Sequence, residues 1–513
     1  MANLLKTMLA VGACKASRTA LRMMHRGGTT TPGRLAMKID GDILETVSRD
    51  MEIIVVTGTN GKTTTSNMID HALSGSGREV LANKSGANLL PGVTAEFTSN
   101  ATATGRPKKH YAVVECDEGA LKQVVPKIHP KVIVVTNLFR DQLDRYGEVM
   151  HTLEEIRKGI RLVPDAILCL NADDSLTASL ALGVPNPVTY FGIDCPVGEQ
   201  KNVEISDARY CIRCGTEYEY DYHTYAHLGG FRCPKCGYRR IRPAVAVTGI
   251  EKVSSSGSVV RMRFGADGCI DAGAEDGMGR GTAAGAEDGM GRGTAAGTEG
   301  GRDRSSTAIA EEGKGRDTAT ETEQEVTIGL PAVYNIYNGA AAIAAYQAAG
   351  FDRQEIIASL ADVHSSFGRM ETFRLGEVPV QMILVKNPAG CNQALSYLSG
   401  LGEDYQAVFC LNDRTADGHD ISWIWDADFE KVCRDPHMKH AFVLGDRADD
   451  MRLRLKYADA EEEDIEKVAD NAALIEKLKK STVPVFILPN YTSMLSLRAA
   501  LGAITGKQEF WKG

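Results

Sequence analysis

The stretch VTGTNGKTTTSN, residues 56–67, has the composition of a turn built to hold an anion. Gly58, Thr59, Asn60, Gly61, Lys62, Thr63 and Thr64 follow an apolar run, Ile53 to Val56. Strand, glycine turn, Lys-Thr and then helix is the layout of a phosphate-binding loop, in which backbone N–H groups and a helix N-terminus face the ligand. Lys62 would bring a point charge to the β- and γ-phosphates, and Thr63 a hydroxyl to Mg2+. Gly58 stands only three residues before Gly61, where the common pattern leaves four residues between its glycines. A plain tight turn is the alternative; Gly61-Lys62-Thr63 at a helix start favours nucleotide binding.

Magnesium requires oxygen ligands. Glu115, Asp117 and Glu118 end an otherwise apolar strand, which favours a metal- or water-orienting role over solvated charge. NLFRDQLDRYGE, residues 137–148, adds Asn137, Asp141 and Asp144, with surface capping as the alternative. Cys211-x-x-Cys214 and Cys233-x-x-Cys236 are separated by 18 residues, and each pair precedes a glycine. Two such knuckles predict a closed tetrahedral zinc site, structural rather than catalytic. So short a ribbon has no core of its own, so metal ligation would supply its folding energy. Arg232, Lys235, Arg239 and Arg240 on it fit either anion contact or a solvated face.

These residues need a scaffold. From Met51 to about Asn171, apolar strands (EIIVVTG, HYAVVECDE, KVIVVTNL, AILCLNADD) alternate with helical stretches, which predicts a parallel α/β sheet. Ligand-contacting residues belong at the C-terminal ends of such strands. Residues 206–242 form the ribbon, and 243–264 read as β-structure. GAEDGMGRGTAA occurs at 273–284 and recurs unchanged at 285–296. The segment 265–325 around it is almost free of large apolar residues and is expected to be disordered, a tolerated loop expansion. Order is expected to resume at Val326 with a helix of small residues, and 373–513 reads as a second, Rossmann-like α/β domain. The division is therefore 1–50 as an N-terminal helical segment, 51–372 as a central ATPase domain and 373–513 as a C-terminal domain.

Length and charge narrow the class. The 513 residues exceed one ordinary core. A net charge of −9 argues against a general nucleic-acid binder. No run of apolar residues is long enough to span a membrane. The N-terminal 28 residues lack the pattern of an export signal and read as an amphipathic basic helix, packed on the first domain or touching an anionic membrane surface. A cytoplasmic protein is expected, and its 12 cysteines suit thiols and metal better than disulfides.

TGTNGKTTT, NLFRDQLDR, YNIYN (334–338) and GRMET (368–372) together resemble the motifs of the Mur ligase family. The ribbon, KNPAGCNQAL (386–395), LNDRTADGHDISWIWDADFE (411–430), GDRADDMRLRLKYA (445–458) and PNYTSMLSLR (489–498) are similar to one branch of it, the ligase subunits of lipid II isoglutaminyl synthase. The resemblance covers nearly the whole chain outside the repeat. It implies a Mur ligase central ATP-binding domain with an inserted four-cysteine zinc ribbon, and ATP, Mg2+ and structural Zn2+ as cofactors. It also implies a heterodimer with a GatD-type glutaminase, and amidation of the α-carboxylate of D-glutamate in the lipid II stem peptide through an acyl-phosphate. By carry-over, Lys62 and Thr63 bind phosphates and Mg2+, Glu115 holds or orients a metal or its water, and Asn335, Asn338 and Arg369 contact the nucleotide. An aspartate that completes the partner's Cys-His site would be Asp417 or Asp420.

Departures from the family point the same way. Asp141-Gln142-Leu143-Asp144 replaces D-H-x-D, and K-N-P-A-G replaces the amino-acid-handling D-x-H-x-P, which suits an acceptor as small as ammonia. About 50 residues precede the phosphate loop, too few for a UDP-sugar-binding domain. No cysteine sits in a glutaminase-like context, and Cys391 reads as a loop or core thiol. An amino-acid-adding ligase of the Mur or folylpolyglutamate type, and a nucleotide-binding scaffold without catalysis, stand as alternatives.

Overall fold

The computed structural model describes residues 2–24, 30–83, 87–140, 149–197, 207–254, 257–265, 270–271, 321–363 and 369–506. The tandem repeat, Asp141, Asp144 and the side chain of Arg369 lie outside the described residues.

Three helices open the chain: α1 (Ala2–Met23), α2 (Thr31–Ile39) and α3 (Ile43–Ser48). The first sheet then begins with β1 (Glu52–Thr57), β2 (Val80–Ala82), β3 (Tyr111–Glu115), β4 (Val132–Val135), β5 (Ile167–Asn171) and β6 (Pro187–Ile193). A hairpin, β7 (Glu219–Tyr225) and β8 (Leu228–Arg232), stands apart from it. β9 (Val245–Ser254), β10 (Gly257–Phe264), β11 (Ile270–Asp271) and β12 (Thr322–Ile328) complete the first domain.

The sheet order is β12-β10-β9-β6-β5-β4-β1-β3-β2, parallel from β2 through β9 and antiparallel from β9 to β12. The strands near its centre are apolar on both faces because helices cover both. Alternation divides them. Ile53 and Val55 pack with α1–α3, while Ile54 and Val56 pack toward α4 (Lys62–Gly75) and the helix Val333–Ala348. That last helix is rich in buried alanines, which lets it lie close on α4 and on β5 and β6.

β13 (Arg369–Leu375), β14 (Val378–Ile383), β15 (Tyr405–Cys410), β16 (Met438–Leu444), β17 (Ile465–Lys467) and β18 (Val485–Pro489) form a second sheet in the order β13-β14-β18-β15-β16-β17. It is mixed: β13 and β14 pair antiparallel and the rest run parallel.

Two expected boundaries move. Regular structure resumes at Thr322 rather than Val326, because Thr322–Glu325 pair antiparallel with Phe264–Arg261. Pairing to β10 supplies the order that composition lacks. The second sheet starts at Arg369, so GRMET opens the second sheet instead of closing the first domain, four residues before the expected 373.

Candidate active site

The phosphate loop joins β1 to α4 and is braced by the next strand end. Gly58 has φ +120° and Gly61 φ +87°, a region that glycine alone enters freely. A Cβ on Gly58 would lie 2.4 Å from Thr136 Oγ1, and one on Gly61 only 2.1 Å from Asn338 Oδ1. The Thr59 and Asn60 amides donate to the carbonyl and to Oδ1 of Asn137, both at 2.9 Å. Thr136 Oγ1 donates to the Asn60 carbonyl at 2.7 Å, and the Phe139 amide donates to Thr59 Oγ1 at 3.0 Å. The loop is thus braced by backbone and side-chain groups of Thr136–Phe139, nearly eighty positions away.

Lys62 is buried and curls back over the loop. Its ammonium donates to the Gly58 carbonyl and to Glu118 Oε1, the latter at 3.0 Å. Burial opposes its charge, but Glu118, Asp117 and Glu115 outweigh burial and hold its pKa above the usual lysine value. Burial raises the Glu118 pKa, and Lys62 acts against it. Thr63 Oγ1 donates to Glu115 Oε2. Asn88 reaches Glu115 Oε1 at 3.4 Å, and Asn83 clamps the Glu115 backbone at 2.8 Å on both sides. Thr63 and Glu115 therefore offer adjacent hard oxygen donors, a set that fits Mg2+, and a two-glycine cradle fits a phosphate.

Asn335 and Asn338 are buried in the first turns of the helix Val333–Ala348, joined by a 3.0 Å hydrogen bond. Asn338 touches the loop at Gly61 and reaches Thr65 Oγ1 at 3.4 Å. Between them in sequence, Tyr337 hydrogen-bonds Asp173 and Thr224. The K-N-P-A-G segment faces the same loop: Asn387 Nδ2 lies 3.3 Å from Asn60 Oδ1, and Lys386 is near enough to act on Glu118. Arg140 ties the two domains again through Asp426 at 2.6 Å.

The four cysteine sulfurs lie within 4.8 Å of one another, with Cys211–Cys236 at 3.5 Å and Cys214–Cys233 at 3.4 Å. This is a donor set compatible with zinc. The ribbon is keyed into the site at its base. His227 is fully buried beside Asp174, 3.3 Å away, and Asp174 accepts the Leu138 amide at 2.8 Å, one residue before Phe139, whose amide braces the loop at Thr59. Sequence reading missed the His227–Asp174 pair, as well as Asn83 and Asn88. No spacing joins them, and His227 stands in a polar, aromatic hairpin beside a second histidine, His223, so nothing in the sequence marks the first.

Asp417 and Asp420 are not equivalent. Asp417 is buried, and both its oxygens accept from Thr492, at the start of the helix Tyr491–Thr505. Asp420 is part-exposed and accepts the Ser422 amide at 2.8 Å, which with the Ser422 side chain holds its pKa low. Neither is hydrogen-bonded to the phosphate loop. Close by, Trp425 stands half exposed, edge-on to exposed Tyr457.

Residues 56–223 match the Mur ligase middle domain, and residues 384–494 match the MurT ligase C-terminal family. The chain is 32% identical to the lipid II isoglutaminyl synthase (glutamine-hydrolyzing) subunit MurT of Streptococcus pneumoniae, over 97% of this chain and 98% of the relative. The chain belongs to the MurT family of Mur ligases. The MurT subunit of Staphylococcus aureus is 31% identical over 94% of this chain and 95% of its own. Among solved structures, MurF from Acinetobacter baumannii superposes with TM-score 0.59 at 16% identity, covering 91% of this chain and 80% of that one. Folylpolyglutamate synthase of Mycobacterium tuberculosis superposes with TM-score 0.54 at 13% identity, covering 99% of each. These two share the Mur ligase fold. Its MurT membership makes the chain a ligase of peptidoglycan synthesis and the kind of polypeptide that works as a subunit.

Proposed function

We propose that this chain is the ATP-dependent ligase subunit that amidates the α-carboxylate of D-glutamate in the lipid II stem peptide. The domain of the first sheet acts as the ATPase, and the domain that begins at Arg369 closes over it. A carboxylate oxygen of the substrate attacks the γ-phosphorus of ATP, and ADP leaves. Ammonia nitrogen then attacks the acyl carbon, phosphate leaves, and a carboxamide remains. Lys62 leaves Glu118 for the phosphates, and the amides of Gly61–Thr64 cradle them, those of Thr59 and Asn60 being taken by Asn137. Thr63 and Glu115 hold Mg2+, which when bound neutralises the charge on the transferring phosphoryl group. Asn335, Asn338 and Arg369 contact the nucleotide.

Ammonia comes from a GatD-type glutaminase partner. Asp420, part-exposed and held by the Ser422 amide, is the candidate to complete the partner's site. Asp417, with both oxygens occupied by a helix start, is the weaker candidate. Zinc on Cys211, Cys214, Cys233 and Cys236 is structural.

The observation that carries this reading is the cluster of Lys62, Thr63, Glu115 and Glu118 at a glycine loop. It lies in a chain alike over nearly its full length to a subunit of that name. The test combines the purified chain, a co-expressed glutaminase, glutamine, ATP and lipid II, and reads product mass. Carboxyl-to-carboxamide conversion that requires ATP is expected. Addition of an amino acid, or ATP turnover without amidated product, would overturn it. Variants Asp420→Asn and Asp417→Asn, assayed with glutamine and then with ammonium, separate the two aspartates: loss with glutamine alone marks the one that serves the partner.

A further inference from the structure

Helix α1 buries one face and leaves an apolar one outside. Ala10, Val11 and Cys14 pack inward, and α1 lies on α2 and α5 (Leu90–Ser99). Lys15 donates to the Ala101 carbonyl at 2.6 Å and Arg18 pairs with Glu96 at 2.9 Å, so the helix is fixed to the domain. On the opposite side, Leu4, Leu5, Met8 and Leu9 are exposed, Leu5 by 60% and Leu9 by 57%. At the helical period, Gly12, Ala16 and Met23 continue this stripe, and exposed Lys6 and Arg22 flank it. A soluble surface rarely leaves so many large apolar side chains together.

The charge on α1 is one-sided: Lys6, Lys15, Arg18 and Arg22 stand on it with no acidic residue, in a chain whose net charge is −9, and the acids that meet it, Asp40 at Thr7 and Glu96 at Arg18, are part of its packing on the domain. A second copy of the same face would meet like charge. Among the described residues no helix is long and apolar enough to cross a membrane, so α1 is suited to lie in an interface rather than span it. We infer that α1 docks the domain on an anionic lipid bilayer, with Leu4, Leu5, Met8 and Leu9 in the acyl boundary and Lys6 and Arg22 at the headgroups. This rests on the reading of a lipid-linked substrate and gives it a location. α5, on which α1 packs, begins two residues after Asn88, the side chain that reaches Glu115. Docking therefore sets the bilayer one helix away from the phosphate loop's carboxylate.

The test is flotation of the full chain with vesicles, without lipid II or nucleotide. Binding to phosphatidylglycerol vesicles is expected, weakening with salt, and about tenfold or more weaker on phosphatidylcholine alone. Leu5→Ser/Leu9→Ser, at exposed positions that leave the circular dichroism spectrum unchanged, should lose about tenfold or more of the binding. Equal binding by the variant, or no preference for anionic vesicles, would overturn the inference. So would a wild-type dimer that the variant dissolves with no vesicle binding by either, which would mark the face as a protein contact. A water-soluble lipid II analogue separates the two readings. The variant should amidate it as wild type does, whereas failure of wild type on the analogue would sink the ligase reading and leave the vesicle result standing.

Discussion

The phosphate loop at residues 58–64 and the cysteine ribbon at 207–242 both depart from the sheet, the first into a helix start and the second into a hairpin between two cysteine knuckles, and they are held in different ways. The loop is braced from a distance: Asn137, Phe139, Asn338 and Asn387 reach it from other segments of the chain. The ribbon is held from within by four sulfurs packed within 4.8 Å. Its aromatic rings, Tyr218, Phe231 and Tyr238, pack on one another beside the thiols. A loop braced by many partners loses its fit gradually as each is removed. A ribbon whose four sulfurs hold one metal, as proposed, would lose its fold in one step. The two meet at Asp174, where His227 of the hairpin and the Leu138 amide share a carboxylate.

That contrast can be broken from either side. Chelation of the metal, or Cys233→Ser/Cys236→Ser, should remove on the order of 10 kcal/mol of ribbon-folding energy. Proteolysis of 207–242, read by mass spectrometry, should then become rapid, while α4 stays protected. Lys62→Ala acts on the other side. It should lower ATP turnover about a thousandfold, near 4 kcal/mol, measured by phosphate release, and lower the melting temperature as well, because buried Glu118 loses its ion-pair partner.

Gly61→Ala should weaken nucleotide affinity by about tenfold or more, since φ +87° costs an L-residue roughly 1–2 kcal/mol and Asn338 must also move. Isothermal titration with a non-hydrolysable nucleotide measures it. Adding Asn338→Ala should restore none of the backbone cost. Tyr337→Phe removes the hydroxyl that joins Asp173 to Thr224 and should cost about 1–3 kcal/mol in denaturant unfolding. Deleting the tandem repeat 273–296 should change stability by no more than about 0.5 kcal/mol and leave turnover intact.

Much of the site was legible because its chemistry is local in sequence. Gly58 to Thr64, the acids after β3 and the two cysteine pairs each lie within a few residues, and the structure brings Lys62 to Glu118 and Thr63 to Glu115. The alternating strands marked the sheet. Short strands such as β2 and β17, three residues each, carry no periodicity to read. The strand at Thr322 escaped because its polar sequence is ordered by pairing with β10, not by burial. Asn83, Asn387 and the His227–Asp174 pair act across 32 to 327 positions, and no spacing rule reaches that far. Asp417 and Asp420 look alike in sequence and were separated only by Thr492, 75 positions away from Asp417.

The central claim is that this chain itself activates a carboxylate through the Lys62 and Glu115 site. The most direct measurement supplies lipid II whose D-glutamate α-carboxylate carries heavy oxygen, with ATP, glutamine and the partner, and weighs the phosphate released. Transfer of one heavy oxygen to phosphate, lost in Lys62→Ala and Glu115→Gln, is the predicted result. Amidated product accompanied by unlabelled phosphate would contradict it, because no acyl-phosphate would have formed.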